Sequence, residues 1–134
     1  MFTALDISAS GLSAQRLRMN TISHNIANVN TTRDAEGRPI PYSRRITIFQ
    51  EGSVGQDGTL GVHVAEVKQD EKTPHLEYNP GHPDANAEGY VAMPNINPIE
   101  EMVDMMAATR AYEANVTTME ATKSMYSTAL RIIA

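Results

Sequence analysis

The sequence predicts a mainly α protein with a small β insert, in which long N- and C-terminal helices pack as a coiled coil around a β-hairpin-rich middle segment. Three observations predict it. Apolar residues at the start recur at three- and four-residue intervals, no Gly or Pro follows Pro98, and the residues between hold most of the glycines and all but one of the prolines. A chain of 134 residues fits a single domain of ordinary size. Within it, residues 1–30 together with 98–134 read as a helical coiled-coil domain. Residues 31–97 read as a β-rich insert with an ordered Pro/Gly loop.

The first helix follows from Phe2, Leu5, Ala9, Leu12, Met19 and Ile26, a stripe broken only by Arg16 and Ser23 and widened by Ile22 and Val29. This spacing predicts a helix over 2–29, roughly 42 Å long at the usual helical rise. Gly11 inside it costs about 1 kcal/mol relative to Ala, which implies close approach of another backbone or a local kink. The end of this helix reads SHNIANVNTT and is loaded with Asn, a poor helix former that competes for backbone hydrogen bonds. Asn30 reads as a helix-end residue. Asn25 and Asn28, one turn apart, read instead as amides at a helix seam, where a wrong register would leave them unpaired.

In the middle segment, residues 42–49 and 61–68 carry β-branched, partly alternating runs, with EGSVGQDG as a loose hairpin loop between them. His75 to Tyr78 adds a short third strand. The stretch NPGHPDANAEG reads as successive turns leading to the second helix.

That helix starts at Asn97-Pro98-Ile99-Glu100-Glu101, with an N-cap type residue, Pro at the first helical position and carboxylates facing the positive end of the dipole. Over 99–134 it would run roughly 50 Å. Two heptad lines follow. Met102, Thr109, Val116, Lys123 and Leu130 form one; Met105, Tyr112, Met119, Tyr126 and Ile133 form the other. A neighbouring face adds Ile99, Val103 and Met106, more apolar surface than one helical hairpin can cover. Ala107, Ala111, Ala114, Thr118 and Ala121 give a line of small residues that lets another helix come close. Six of the eight Met lie between 93 and 125, and thioethers fill irregular contacts well. Arg110 and Glu113 stand at ion-pair spacing, either with each other or across to a neighbouring subunit.

Several function classes are excluded. The net charge is −5 with no run of Lys or Arg, so no nucleic-acid partner is expected. With no Cys there is no thiol catalysis, disulfide or Cys-based zinc site. The start lacks a basic segment followed by an apolar one, and no window approaches the length of a membrane span, so neither a cleavable signal peptide nor a transmembrane helix is expected. His75, Glu77, His82 and Asp84 are close in sequence, but no His pair has helical zinc spacing. No P-loop, dinucleotide-binding glycine pattern or nucleophile elbow is present. The expectation is no enzyme, no cofactor and no metal.

ALDISASGLSAQRLRMNTISHNIANVNTT near the start and GYVAMPNINPIEEMVDMMAATRAYEANVTTMEATKSM near the end resemble the paired terminal signatures of bacterial flagellar rod and hook proteins. The short length and YNPGHPDANAEGYVAMPN make the chain similar to the proximal-rod members of that family. Ser43 departs from the family pattern, in which the Tyr is followed directly by the basic pair. The resemblance implies a structural subunit whose terminal helices line the wall of a helical tube, the torque-transmitting rod that crosses the periplasm. Implied partners are further copies of itself, other rod proteins, the inner-membrane ring and rod adaptor proteins, and the flagellar type III export apparatus. Companion proximal-rod subunits, or a soluble coiled-coil regulator or chaperone, are the alternatives.

Matched by position, the N-terminal signature falls on Ser10, Gly11, Leu12, Met19, Asn25, Ala27 and Asn28. The C-terminal one falls on Arg110, Ala111, Tyr112, Glu113, Ala114 and Asn115. With Leu5, Ile22, Ile26, Met102, Met105, Met106, Met119 and Tyr126 from the apolar stripes, these are the expected assembly contacts.

Overall fold

A computed structural model describes residues 2–53 and 60–133. Helix α1 spans Phe2–Ala27, strands β1 Arg45–Ser53 and β2 Leu60–Gln69 pair with each other, β3 His75–Tyr78 pairs with β4 Tyr90–Met93, and helix α2 spans Pro98–Ile133. The chain is therefore two helices with two small two-stranded sheets between them, mainly α with a β insert. It divides into two compact units, one of Met1–Met19, Thr47–Glu66 and Met106–Ala134, the other of Asn20–Ile46 and Val67–Met105. None of the described helices is long and apolar enough to cross a membrane.

Helix α1 ends two residues earlier than its apolar stripe predicts. Asn28 Nδ2 donates to the His24 carbonyl at 2.8 Å, where the Asn28 N–H also donates at 3.1 Å, and Thr31 Oγ1 donates to Asn28 Oδ1 at 3.1 Å. The side chain closes the last turn, so within the single chain Asn28 serves as a helix-end residue. At the start of α2, Asn97 caps as expected: its Oδ1 accepts from the Ile99 N–H at 3.0 Å and its carbonyl from the Glu101 N–H at 3.1 Å.

Strand β1 begins at Arg45, not Tyr42. The Tyr42 N–H is drawn to the Thr31 carbonyl at 3.0 Å, and pairing with β2 opens only where the Arg44 carbonyl accepts from the Asp70 N–H at 2.7 Å. Further along, His63 lies over Gly52, whose missing Cβ would stand 2.6 Å from the imidazole, so the strands run in opposite directions. Of the expected hairpin loop, residues 51–58, Glu51, Gly52 and Ser53 belong instead to β1, and residues 54–58 lie outside the described residues.

The sequence reading missed β4. It pairs antiparallel with β3, His75 opposite Met93 and Tyr78 opposite Tyr90, whose rings meet edge-on at 5.3 Å. The turns before it are pinned by Asn86, whose Oδ1 accepts from the N–H groups of Glu88 and Tyr90, and by Gly89 at φ +85, a conformation that suits Gly. Only Val91 of this strand is fully buried.

The inward face of α2 is wider than the two heptad lines and divides one of them. Met105, Tyr112, Met119 and Tyr126 are half-buried as expected; of the other line Thr109 and Val116 are half-buried but Met102, Lys123 and Leu130 are exposed, and Glu101, Ala108, Asn115, Thr122 and Ala129 also turn inward. On α1 the buried residues are Ser8, Ser10, Ala14, Thr21, Ile22 and Asn25. The core is thus built largely of small and polar side chains.

Candidate assembly surfaces

In the unit formed by Asn20–Ile46 and Val67–Met105, one amide organises three segments. Asn25 is 1% exposed. Its Nδ2 donates to the Arg45 carbonyl at 2.8 Å and to Glu101 Oε2 at 3.0 Å. Its Oδ1 accepts from the Arg45 N–H at 2.9 Å and from the Tyr42 hydroxyl at 3.3 Å. Every donor and acceptor of the amide is satisfied inside the subunit. Glu101, fully buried, receives Arg44 Nε on its other oxygen at 2.6 Å, and the same guanidinium lies 3.7 Å from Asp70 and 3.6 Å from Asp104. Desolvation works against the Arg44 charge, but the hydrogen bond to Glu101 and the surrounding carboxylates outweigh it and hold its pKa above the ordinary arginine value. Burial, reinforced by Glu101 against the opposing Arg45 charge, raises the Tyr42 phenol above 10.0, so the hydroxyl stays protonated and donates.

A second hub lies nearby in the same unit. Asp84 accepts from Thr32 Oγ1 at 2.8 Å and from Arg33 Nε at 2.7 Å, joining the loop after α1 to the turns after β3. The hydrogen bond from Arg33, then that from Thr32, lowers the Asp84 pKa below 3.8. His82 Nδ1 accepts from the Asp84 N–H at 3.1 Å. Asp84, offered by sequence as a neighbour of His75, Glu77 and His82, is therefore committed to a loop-to-loop clamp. No group of three or more metal-ligating side chains stands together among the described residues.

In the other unit, Ser10 Oγ donates to the Ile7 carbonyl at 2.7 Å and accepts from the Val62 N–H at 3.1 Å, tying β2 to α1. Gly11 faces Asn115: a Cβ there would stand 3.1 Å from Asn115 Nδ2, which donates to the Ala111 carbonyl at 3.0 Å. Thr109 Oγ1 approaches Met19 Sδ at 3.6 Å. As the α1 number rises from Gly11 to Met19, the α2 partner falls from Asn115 to Thr109, so these helical segments run antiparallel.

The expected contact residues therefore separate into two groups. Ser10, Ile22 and Asn25 are buried in the single chain, and Leu5, Gly11, Leu12, Met19, Ile26, Asn28, Met105, Ala111, Tyr112, Asn115, Met119 and Tyr126 are half-buried. Ala27, Met102, Met106, Arg110, Glu113 and Ala114 face outward. Arg110 and Glu113 make no ion pair with each other among the described residues. Ile99 is 71% exposed and Met102, Val103 and Met106 each slightly over half. The sequence reading missed Arg44, Asp70 and the buried role of Glu101, for which its only signal was a carboxylate in a first turn.

Two family models match the segments that carry these features. One, described as flagella basal body rod protein, covers residues 5–33; the other, described as flagellar basal body rod FlgEFG protein C-terminal, covers residues 87–132. The flagellar basal-body rod protein FlgC of Bacillus subtilis is 43% identical over 145 residues, spanning 98% of this chain and 97% of that relative. Those of Borreliella burgdorferi and Aquifex aeolicus are 40% and 41% identical, spanning 99% and 94% of this chain and 97% and 92% of the relatives. The chain belongs to the FlgC family of flagellar basal-body rod proteins.

A FlgC-family chain is a structural subunit of the rod and not an enzyme. The Asn25–Glu101 and Gly11–Asn115 contacts both join one segment matched by a rod-protein family model to the other, whereas Arg44 and Asp70 come from the stretch between the two matched segments.

Proposed function

We propose that this chain is a subunit of the proximal rod, assembling through its terminal helices into a helical tube that transmits torque. In this reading residues 1–30 and 98–134 form the coiled-coil domain of the tube wall, and the insert 31–97 lies outside it. The partners are further copies, other rod proteins, and the inner-membrane ring with its rod adaptor. The subunit reaches the periplasm through the flagellar type III apparatus.

The observation that carries this reading is the outward face of α2, where Ile99, Met102, Val103 and Met106 stand exposed at helical spacing while a different face of the same helix is turned inward. A contiguous apolar face of this kind marks a contact with another chain. A helical tube needs such a face, because head-to-tail contacts that do not close generate an open assembly. Replacing Val103 and Met106 together by Glu leaves the inward seam untouched. The expected result is a chain with unchanged helix content that no longer enters basal bodies and does not support motility. Normal incorporation of this variant would contradict the reading. Capture against each rod protein and the inner-membrane ring, one at a time, tests the assignment to the proximal rod.

A further inference from the structure

The outward face of α2 owes half of its four large apolar residues to thioethers. Met102 is 54% and Met106 55% exposed, one turn apart and flanked by Ile99 and Val103. Met105 and Met119, on the inward face, are half-buried, and Met19 has the Thr109 hydroxyl directed at its sulfur. Met125 is also exposed, at 66%, but its helical neighbours Ala121, Thr122, Thr128 and Ala129 are small or polar.

We propose that Met102 and Met106 are an oxidative modification site, and that their oxidation by a hydroperoxide blocks assembly of the free subunit. The inference rests on the reading of this face as an assembly contact. In the reaction the thioether sulfur attacks the peroxide, the O–O bond breaks, and one oxygen stays on sulfur as a sulfoxide. The other oxygen leaves as water or an alcohol. Sulfur loses two electrons and the peroxide gains them, so no further reactant is needed. The product is a polar acceptor on a face otherwise made of hydrocarbon and thioether. Burying that acceptor against an apolar partner leaves it without a donor and costs more than burying the parent thioether. Solvent exposure confines the reaction to the unassembled chain, and its reversal belongs to sulfoxide-reducing chemistry.

The test treats the full-length free chain with hydrogen peroxide, maps sulfoxides by peptide mass spectrometry, and offers the treated chain to rod assembly in basal bodies. Met102, Met106 and Met125 are expected to oxidise several-fold faster than Met105 and Met119. Incorporated chains are expected to be several-fold depleted in sulfoxide at Met102 and Met106 relative to the input, but not at Met125. Treatment should leave the incorporation of the double variant Met102→Leu, Met106→Leu at the level of its own untreated chain, whatever that level is, whereas Met125→Leu should give no protection. Sulfoxide at Met102 and Met106 in incorporated chains at the input proportion would overturn the proposal, as would equal loss of incorporation by the double variant. Failure of untreated chains to incorporate would overturn the assembly reading itself, and the proposal with it.

Discussion

The Asn25 side chain pairs with the backbone of Arg45 as a neighbouring strand would, its Nδ2 donating to the carbonyl at 2.8 Å and its Oδ1 accepting from the N–H at 2.9 Å. A helical residue thereby starts strand β1, and its remaining donor reaches Glu101 at the beginning of α2. Asn25→Ala leaves these buried groups unsatisfied and is expected to cost about 2–4 kcal/mol in denaturant unfolding of the purified chain. Asn25→Asp sets a second carboxylate against Glu101, so its deficit should be largest at neutral pH and shrink on acidification, when a shared proton restores the donor. An Asn25→Ala chain as stable as wild type would remove this role.

The contact between Gly11 and Asn115 predicts a graded response to side-chain size. A Cβ at Gly11 meets the Asn115 amide at 3.1–3.3 Å, tight but against the end of a flexible side chain. Gly11→Ala should therefore be close to neutral, its helix-propensity gain of up to about 1 kcal/mol offset by displacement of the amide. In an Asn115→Ala background the same change should become stabilising. Gly11→Leu should lower the melting temperature in either background, and a neutral Gly11→Leu would show that the helices do not approach here.

Asp84 gives the chain an acid-sensitive clamp. Its folded pKa is held below 3.8, chiefly by Arg33 and then by Thr32. The contribution is therefore fully present above the unfolded value of about 3.9 and is lost as pH falls through the folded value. Asp84→Asn should flatten the acid limb of the stability profile while leaving the neutral-to-alkaline limb parallel to wild type. Because Arg33 is exposed, added salt should weaken the wild-type advantage. Identical acid limbs for the two chains would contradict the clamp.

Much of this architecture was legible in the sequence. The start of α2 was marked by Asn97 and Pro98, and β3 emerged at its full length. Hydrophobic periodicity failed where the buried residues are not hydrophobic. Glu101 occupies the inward seam because Arg44 and Asn25 satisfy its charge, and those partners are distant in sequence. The α1 stripe through Ala9 and Leu12 likewise hid the buried Ser8, Ser10 and Thr21, whose small polar side chains allow close packing. Strand β4 was missed because its four residues carry one fully buried side chain and follow directly on turns anchored by Asn86. The amide of Asn25 was singled out as a seam residue, and within the chain its partners are Tyr42, Arg45 and Glu101.

The central claim is that the outward face of α2 is bare in the free chain and covered in the rod. Thiol labelling tests it directly, because the chain has no cysteine and Val103→Cys introduces a single one on that face. The expected result is rapid maleimide labelling of the free chain, strong protection in intact basal bodies, and full labelling once they are denatured. Equally rapid labelling in intact basal bodies and in the free chain would contradict the claim.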